Sequence, residues 1–251
     1  MPTTAITYIG GPTALLEYAG LRILTDPTFD APQSYDDPGA STLVKTRGPA
    51  LSRAEVFPID LVLLSHHAHK DNLDWEGLEL IAQGPVTLST TDAASDLWGG
   101  SVIGFDDWET HEVGGVTVTV VPALHGPPGS EPLVGAVVGF VLEADGEPAV
   151  YVSGDNASLP LVEQIASRFP AIEIAVLFAG AARTPRIDAA LTLTSTDALA
   201  AARILGASRV VGLHCEDWQH FSESRDDLER AFAGSGLLVD TPRGERVVLD
   251  A

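Results

Sequence analysis

Seven histidines punctuate this 251-residue chain, at positions 66, 67, 69, 111, 125, 214 and 220. Three of them crowd into Ser65-His66-His67-Ala68-His69-Lys70-Asp71-Asn72-Leu73-Asp74, directly after the apolar run at 59–64. Imidazoles two apart with an aspartate two further on can converge on a cation, because neutral imidazole and carboxylate are ordinary ligands of zinc and other transition metals. A solvated histidine-rich turn would read the same way in isolation. Three more segments argue otherwise: 116–122 leads into His125, Tyr151-Val152-Ser153-Gly154 into Asp155, and Val210-Val211-Gly212-Leu213 into His214. Strand ends are where sheets deliver side chains into a crevice. One strand-end histidine is more often a hydrogen-bonded core or loop residue; four strands each ending in a His or Asp point to an assembled metal site.

Elements must hold these residues in place. Residues 5–9 alternate weakly, and 13–18 and 21–25 flank Ala19-Gly20, a short-turn signal for a hairpin. Residues 26–52 carry six prolines and glycines with little periodicity and read as a long loop, a length that is often functional. The run at 59–64 reads as a buried strand, and a helix follows the histidine motif with Leu73, Gly77, Leu78, Leu80 and Ile81 on or near one face. Further strands are expected at 86–89, 101–105, 116–121, 134–143, 149–152, 175–178 and 210–213. Helices are expected at 159–169, stopped by Pro170; at 196–205, between a Ser/Thr cap and Gly206; and at 223–232. Residues 237–249 read as a closing hairpin. With no linker composition and no internal repeat, residues 1–251 read as a single domain.

The order and spacing of the motifs resemble the metallo-β-lactamase superfamily of metal-dependent hydrolases. Its pattern is His-x-His-x-Asp-His, then a His, a Gly-Asp and a final His, each after a strand, and the resemblance covers nearly the full length. Leu24-Thr25-Asp26-Pro27-Thr28-Phe29, Ser65-His66, Asn72-Leu73-Asp74 and His214-Cys215-Glu216-Asp217-Trp218 look most like the branch holding ascorbate-6-phosphate lactonase and the N-acyl-phosphatidylethanolamine phospholipase D type enzymes. The resemblance implies an α/β fold, a four-layer αββα sandwich of two similar halves with metal along one edge. One ion would take two histidines of the first motif with His125; a second would take Asp71 and His214, with Asp155 bridging. The implied cofactor is one or two divalent ions, zinc first, manganese or iron as alternatives. A bound water or hydroxide would be the nucleophile, since coordination lowers the pKa of water toward about 7. Asp71 would orient that water and carry its proton.

Three departures from the pattern stand out. Asn72 replaces the second-site histidine, and an amide oxygen is the weaker ligand; this implies one tightly held ion or a harder ion such as manganese in the second position. The register of the first motif is ambiguous. Counting back from Asp71 selects His67 and His69, whereas counting forward from Ser65 selects His66 and leaves one residue inserted. His69 and Asp71 belong to the site under either count. Lastly, Gly10-Gly11-Pro12-Thr13 stands where relatives of this branch read Gly-His and a small residue.

Other residues are weighed on their surroundings. His220, six residues beyond His214 and near Trp218, is a candidate to line the pocket or donate a proton. Lys45 and Arg47 sit in the long loop; with only two lysines in the chain, Lys45 is a candidate to hold an anionic substrate group, and Trp218 a candidate wall of the same pocket. Asp188, after Arg183 and Arg186, is a candidate to reach the site. Trp75, Trp98 and Trp108 have no motif around them and read as packing, His111 as solvated, and Cys215 as buried.

Composition bounds the function. Lys+Arg is 14 against Asp+Glu 35, a formal charge of −21, so the surface repels nucleic-acid phosphates and anionic lipid alike. Nuclease chemistry and membrane association are therefore disfavoured, and a flavin-dependent redox role lacks the extra domain it would need. A single cysteine excludes a disulfide framework, and neither a signal-peptide pattern nor an apolar run of about 18 residues is present. The expectation is a cytoplasmic hydrolase, lactonase-like, acting on a small-molecule lactone, ester, amide or phosphodiester, with homo-oligomerisation open. The competing reading is a metal- or ligand-binding protein of the same fold that has lost turnover.

Overall fold

A computed structural model describes residues 3–36, 42–97 and 101–249. In chain order the first half contains β1 (Ala5–Gly10), β2 (Thr13–Tyr18), β3 (Leu21–Thr25), β4 (Gln33–Tyr35), β5 (Leu43–Lys45), α1 (Arg53–Val56), β6 (Leu61–Leu63), α2 (Trp75–Ala82), β7 (Val86–Thr90), α3 (Thr91–Asp96) and β8 (Ser101–Phe105). The second half contains β9 (Thr110–Val113), β10 (Val116–Pro122), α4 (Glu131–Val134), β11 (Val138–Ala144), β12 (Ala149–Val152), α5 (Leu159–Arg168), β13 (Ile172–Phe178), α6 (Ser195–Leu205), β14 (Arg209–Leu213), α7 (Arg225–Phe232) and β15 (Arg246–Val248).

Two mixed sheets stack on each other, in the orders β15-β1-β2-β3-β6-β7-β8 and β14-β13-β12-β11-β10-β9. The two-residue period of the strands sorts their side chains onto two faces. Val116, Val118 and Val120 join Ile6, Tyr8, Leu16, Leu61 and Leu63 in the layer between the sheets. Their neighbours on the opposite face, Val121, Val141, Tyr151 and Leu177, pack instead on Val162 of α5, Ala198 and Ala202 of α6, and Leu228 of α7. On the outside of the first sheet, Leu15, Leu24 and Val62 meet Val56 of α1 and Leu80 and Ile81 of α2. The layers thus run helix, sheet, sheet, helix, the αββα sandwich expected from the sequence. Large side chains such as Tyr8, Tyr18 and Phe140 are fully buried in the middle layer, each burial contributing about 1.5–3 kcal/mol.

Pairing directions explain why the motifs meet. In the second sheet β10 is antiparallel to β11 and β11 to β12, while β12, β13 and β14 run parallel. The ends of β10, β12 and β14 therefore all emerge at one edge. Val138 at the start of β11 donates to the Ser65 carbonyl at 3.0 Å, which brings the end of β6 to that same edge.

Several expectations are corrected. The loop at 26–52 contains the short β4–β5 hairpin, whose polar residues mask any strand pattern. Residues 131–134 form α4 rather than opening a strand, because Pro132 and Gly135 break the ladder before Val138. The chain does not close as a hairpin: β15 pairs with β1 instead, across the whole length of the sequence. Helix α7 begins at Arg225 behind a Ser224–Asp227 capping box. No helix among the described residues is long and apolar enough to cross a membrane. Trp98 lies outside the described residues.

Candidate metal centre

Two groups of side chains gather at the shared edge. His66, His69 and His125 form one; Asp71, Asp155 and His214 form the other, each with one ligand-type atom within 4.8 Å of the rest. The ambiguous register of the first motif is resolved by Ser65. Its backbone N and its Oγ donate to Asp26 Oδ1 at 2.9 and 2.7 Å, and Oγ lies 3.1 Å from His66 Nδ1. That anchoring aims His66 Nε2 into the site, 2.9 Å from His69 Nδ1. The His69 carbonyl accepts from Asn72 and Leu73, a tight turn that carries Asp71 inward. The residue left over is His67. It is turned outward to Asp96 Oδ2 at 3.1 Å, so the expectation of His67 as a ligand is corrected by the bulge between the two anchors.

The remaining donors come from the second sheet. His125 Nδ1 donates to the Leu191 carbonyl at 2.9 Å, leaving Nε2 facing the site 3.8 Å from Asp155 Oδ2. The other oxygen of Asp155, Oδ1, lies 3.3 Å from His214 Nε2, which is also 3.3 Å from Asp71 Oδ2. Asp155 therefore addresses both groups, one oxygen to each. His214 ends β14 with a φ of 57°, a conformation costly for a residue with a side chain and typical of functional sites. Its backbone N–H, donated to the Gly11 carbonyl at 2.8 Å, helps hold it there.

The electrostatics suit a cation. Burial pushes His66 well below the ordinary histidine range and His69 down to about 4, so both are neutral and keep a lone pair at neutral pH. Burial would raise Asp71 and Asp155, but the neighbouring imidazoles outweigh it and hold both carboxylates ionised. His214 shows the converse: burial lowers it, yet Asp155 and Asp71 lift it to about 10. Among the described residues, Asp71 Oδ1, Asp155 Oδ2 and His214 Nε2 are buried with no hydrogen-bond partner. A buried carboxylate oxygen left unpaired is costly, and a divalent ion is what such a donor set would satisfy. The residues present thus fit the metal that the resemblance implies.

Asn72 stands where the family pattern has its second-site histidine, with its Oδ1 buried and without a hydrogen-bond partner among the described residues. Its Nδ2 donates to Asp155 Oδ1 at 3.1 Å and to Ser65 Oγ at 3.3 Å, bracing the bridging carboxylate. His220 is brought in from beyond β14: its Nε2 lies 2.9 Å from Asp71 Oδ2. The short side chain at Gly11 is explained by Trp218, whose Nε1 would lie 2.9 Å from a Cβ placed there. The indole fills the space that a larger residue at position 11 would need.

A cavity of about 400 Å³ opens over the centre, with His69, His125, Asp71 and His220 at its base. Its walls come from the β4–β5 hairpin through Tyr35 and Leu43, from α2 through Trp75, from α4 through Leu133, and from the 182–191 segment. Both expected substrate contacts are corrected. Lys45 alternates to the inner side of β5, is buried, and pairs with Asp74 at 2.9 Å. Trp218 is buried beneath it, 5.5 Å from the Lys45 Nζ, and does not line the cavity. Asp188 is exposed outside the lining. Trp75, expected as packing, is 54% exposed at the mouth with Lys70 Nζ 4.0 Å from its ring centroid. Trp108 packs against the outer helix layer, His111 lies on β9 away from the site, and Cys215 is buried. Arg183 and Arg186, noted in sequence only as neighbours of Asp188, are lining residues.

Comparison with known proteins agrees with this geometry. The profile of the family described as Beta-lactamase superfamily domain matches residues 21–215. A UPF0173 metal-dependent hydrolase of an Exiguobacterium species is 30% identical over 243 residues, covering 94% of this chain and 96% of the relative. In three dimensions, a possible metal-dependent hydrolase from Veillonella parvula superposes with a TM-score of 0.84 at 20% identity, over 98% of this chain and 100% of the other. The isothiocyanate hydrolase from Delia radicum gut bacteria gives 0.84 at 22% identity, over 98% and 99%. With a family profile across most of the chain, a relative matched nearly end to end and the ligand-type residues gathered at one sheet edge, this chain belongs to the metallo-β-lactamase superfamily of metal-dependent hydrolases.

Proposed function

We propose that the protein hydrolyses a small-molecule ester, lactone, amide or phosphodiester at the base of its cavity. The observation that carries this reading is Asp155, buried between the His66–His69–His125 group and the Asp71–His214 pair and directing one oxygen to each. His66, His69 and His125 would hold one divalent ion; Asp71, Asp155 and His214 would hold a second. Such ions supply Lewis acidity, lowering the pKa of a water toward about 7 and polarising the substrate's carbonyl or phosphoryl oxygen. The all-nitrogen first group suits zinc; the oxygen-richer second group suits zinc, manganese or iron. Loss of the second-site histidine to Asn72 makes the second group the weaker one. A cytoplasmic location and a small-molecule partner belong to the same reading, supported by the unpaired Cys215 and the acidic surface.

The chain's own groups would handle the protons. Asp71 is held at Oδ2 by His220 and His214, and this carboxylate would orient a water and accept its proton. His220 Nε2 is within hydrogen-bonding distance of that carboxylate, and its ring lines the cavity. It would exchange a proton with Asp71 and deliver one to the leaving group, a role worth about 10²–10⁴-fold in rate.

The test joins metal content to turnover. Metal per chain is measured by plasma mass spectrometry on protein purified without chelator, for wild type, His69→Ala, Asn72→His and His220→Gln. Hydrolysis is followed on p-nitrophenyl esters, homoserine lactones and bis-p-nitrophenyl phosphate. Turnover that chelator removes and metal restores, lost with metal in His69→Ala and lost without metal loss in His220→Gln, is the expected result. Full occupancy with no hydrolysis across the panel would overturn the reading and leave a binding protein of the same fold.

A further inference from the structure

We infer that the substrate is an amphipathic oxyanion: a carboxylate, sulfate or phosphate group seated on Arg183 and Arg186, with an apolar body against Trp75, Leu133 and Ile187. The inference rests on the hydrolase reading of the same cavity and says what enters it.

The distribution of positive charge carries it. Acidic residues outnumber basic ones 35 to 14, so a group of cations without acidic partners at one cavity stands out against a crowd of carboxylates. Among the described residues, Arg22, Lys45, Arg53, Arg225, Arg230, Arg243 and Arg246 each pair with an Asp or Glu, while Arg47, Arg168, Arg203 and Arg209 do not, and none of these eleven lines the cavity. The three cations that do line it are Lys70, Arg183 and Arg186, and no carboxylate pairs with any of them among the described residues. Lys70 donates to the Leu73 carbonyl at 3.4 Å and lies over Trp75. Arg183 Nε donates to the Ser222 hydroxyl at 3.4 Å. The two acids of the lining are otherwise engaged: Asp71 belongs to the metal group, and Asp36 accepts from Thr42 at 3.0 Å.

The arginines are mounted on a built turn. The Arg183 N–H donates to the His220 carbonyl at 3.0 Å, Ala182 bridges to Phe221, and Thr184 bridges to Ile187. That bridge puts Pro185 and Arg186 at the tip of a tight loop beside the base of the cavity. A planar guanidinium matches an oxyanion in two parallel hydrogen bonds, and two of them line the cavity. The apolar half is equally local. Four large hydrophobic residues are exposed among the described residues, and two of them, Trp75 at 54% and Leu133 at 44%, stand at this mouth. Ile187 completes the wall between them and the arginines.

The test uses equilibrium binding to metal-loaded protein, which needs no turnover. Hexyl sulfate, methyl sulfate and 1-hexanol are titrated calorimetrically into wild type and an Arg183→Gln/Arg186→Gln double variant. These positions hold no metal, and metal content is checked to be unchanged. Hexyl sulfate is expected to bind wild type at least about fivefold more tightly than either other probe, a ratio in keeping with partly exposed ion pairs. The double variant should lose the advantage over hexanol while its hexanol affinity stays the same. Equal affinity for hexyl sulfate and hexanol in wild type, or an advantage that survives the double variant, overturns the anion seat. Methyl sulfate binding as well as hexyl sulfate overturns the apolar wall. If the binding preference is present but chelator-sensitive hydrolysis is absent, the hydrolase reading fails and the oxyanion site stands; the opposite pattern fails this inference alone.

Discussion

Replacing Lys45 with methionine tests how the metal edge is supported. Lys45 and Asp74 are 29 positions apart, and their side chains are 3% and 0% exposed. Asp74 is the hub of the support. Its Oδ1 accepts from Phe29 N and Gly77 N, both at 2.9 Å, and its Oδ2 from Asp30 N at 2.7 Å and Lys45 Nζ at 2.9 Å. It thereby caps α2 and ties the 26–30 segment, which carries the Asp26 that anchors Ser65 and His66. Lys45→Met keeps the length of the stem and removes the charge, leaving an ionised carboxylate with three neutral donors in a dry setting. Removing one partner of a buried pair costs about 3–5 kcal/mol, and the surviving donors set the expectation at the lower end. For a chain of this size about 1 kcal/mol moves the melting temperature by roughly 2–4 °C, so a drop of about 6–12 °C is expected. Urea unfolding of metal-loaded protein, with m unchanged, measures the free energy. In Lys45→Met/Asp74→Asn the loss should fall short of the two single losses added together by about 1–3 kcal/mol, because the stranded charge is gone. KM for any hydrolysed ester should not move. A stability loss under about 1 kcal/mol would put the pair among solvated surface bridges and refute the burial argument. A raised KM with unchanged stability would return Lys45 to the pocket.

Three further outcomes follow from particular contacts. His66→Ala should lose metal from the first group, while His67→Ala, which removes only the contact to Asp96, should keep the wild-type metal content; plasma mass spectrometry separates them, and metal loss in His67→Ala would restore the alternative register. Gly77→Ala should be strongly destabilising, because a Cβ there would lie 1.9 Å from the Pro27 carbonyl oxygen and the backbone must shift to admit it; a cost of several kcal/mol by urea unfolding is expected, and a change under about 0.5 kcal/mol would show the approach to be looser than described. Burial, the largest cause, pushes the Cys215 thiol up to about 12, so at pH 8 the native protein should react with a disulfide reagent far more slowly than the urea-unfolded chain. Raising the pH through the high pKa should speed the native reaction, and equal rates at pH 8 in both states would contradict the burial.

Much of this molecule was readable from residue types and spacing. The alternation at 116–121 reads as a strand, and the structure puts Val116, Val118 and Val120 between the sheets and Val121 beneath the helices. A Ser/Thr cap and the stop at Gly206 bound α6 as expected, the cap falling at Thr194 so that the helix begins one residue earlier than 196, since each satisfies backbone groups within a few residues of its own position. The gathering of His69, Asp71, His125, Asp155 and His214 was equally legible, because each follows a short strand and parallel strand directions bring those ends to one edge. The short β4–β5 pair was not, since Gln33-Ser34-Tyr35 has no apolar alternation to betray a strand.

What local pattern could not decide was which way particular side chains turn. The choice between His66 and His67 depended on Ser65 being tied to Asp26, thirty-nine residues away, so that the extra residue had to bulge outward. Lys45 in sequence is a scarce cation in a loop; only the fold brings Asp74 beneath it and turns a candidate substrate contact into a buried support. Arg183 and Arg186 gain their meaning from the opposite circumstance, a turn that holds them over the cavity with no carboxylate paired to either among the described residues. Residue types and spacing marked the strands and the candidate metal-binding side chains, because periodicity and ligand type are local properties, and the fold class came with the family resemblance those motifs carry. Tertiary structure decided the register, the supports and the lining of the cavity, because a side chain's partner is set by long-range packing that no window of sequence contains.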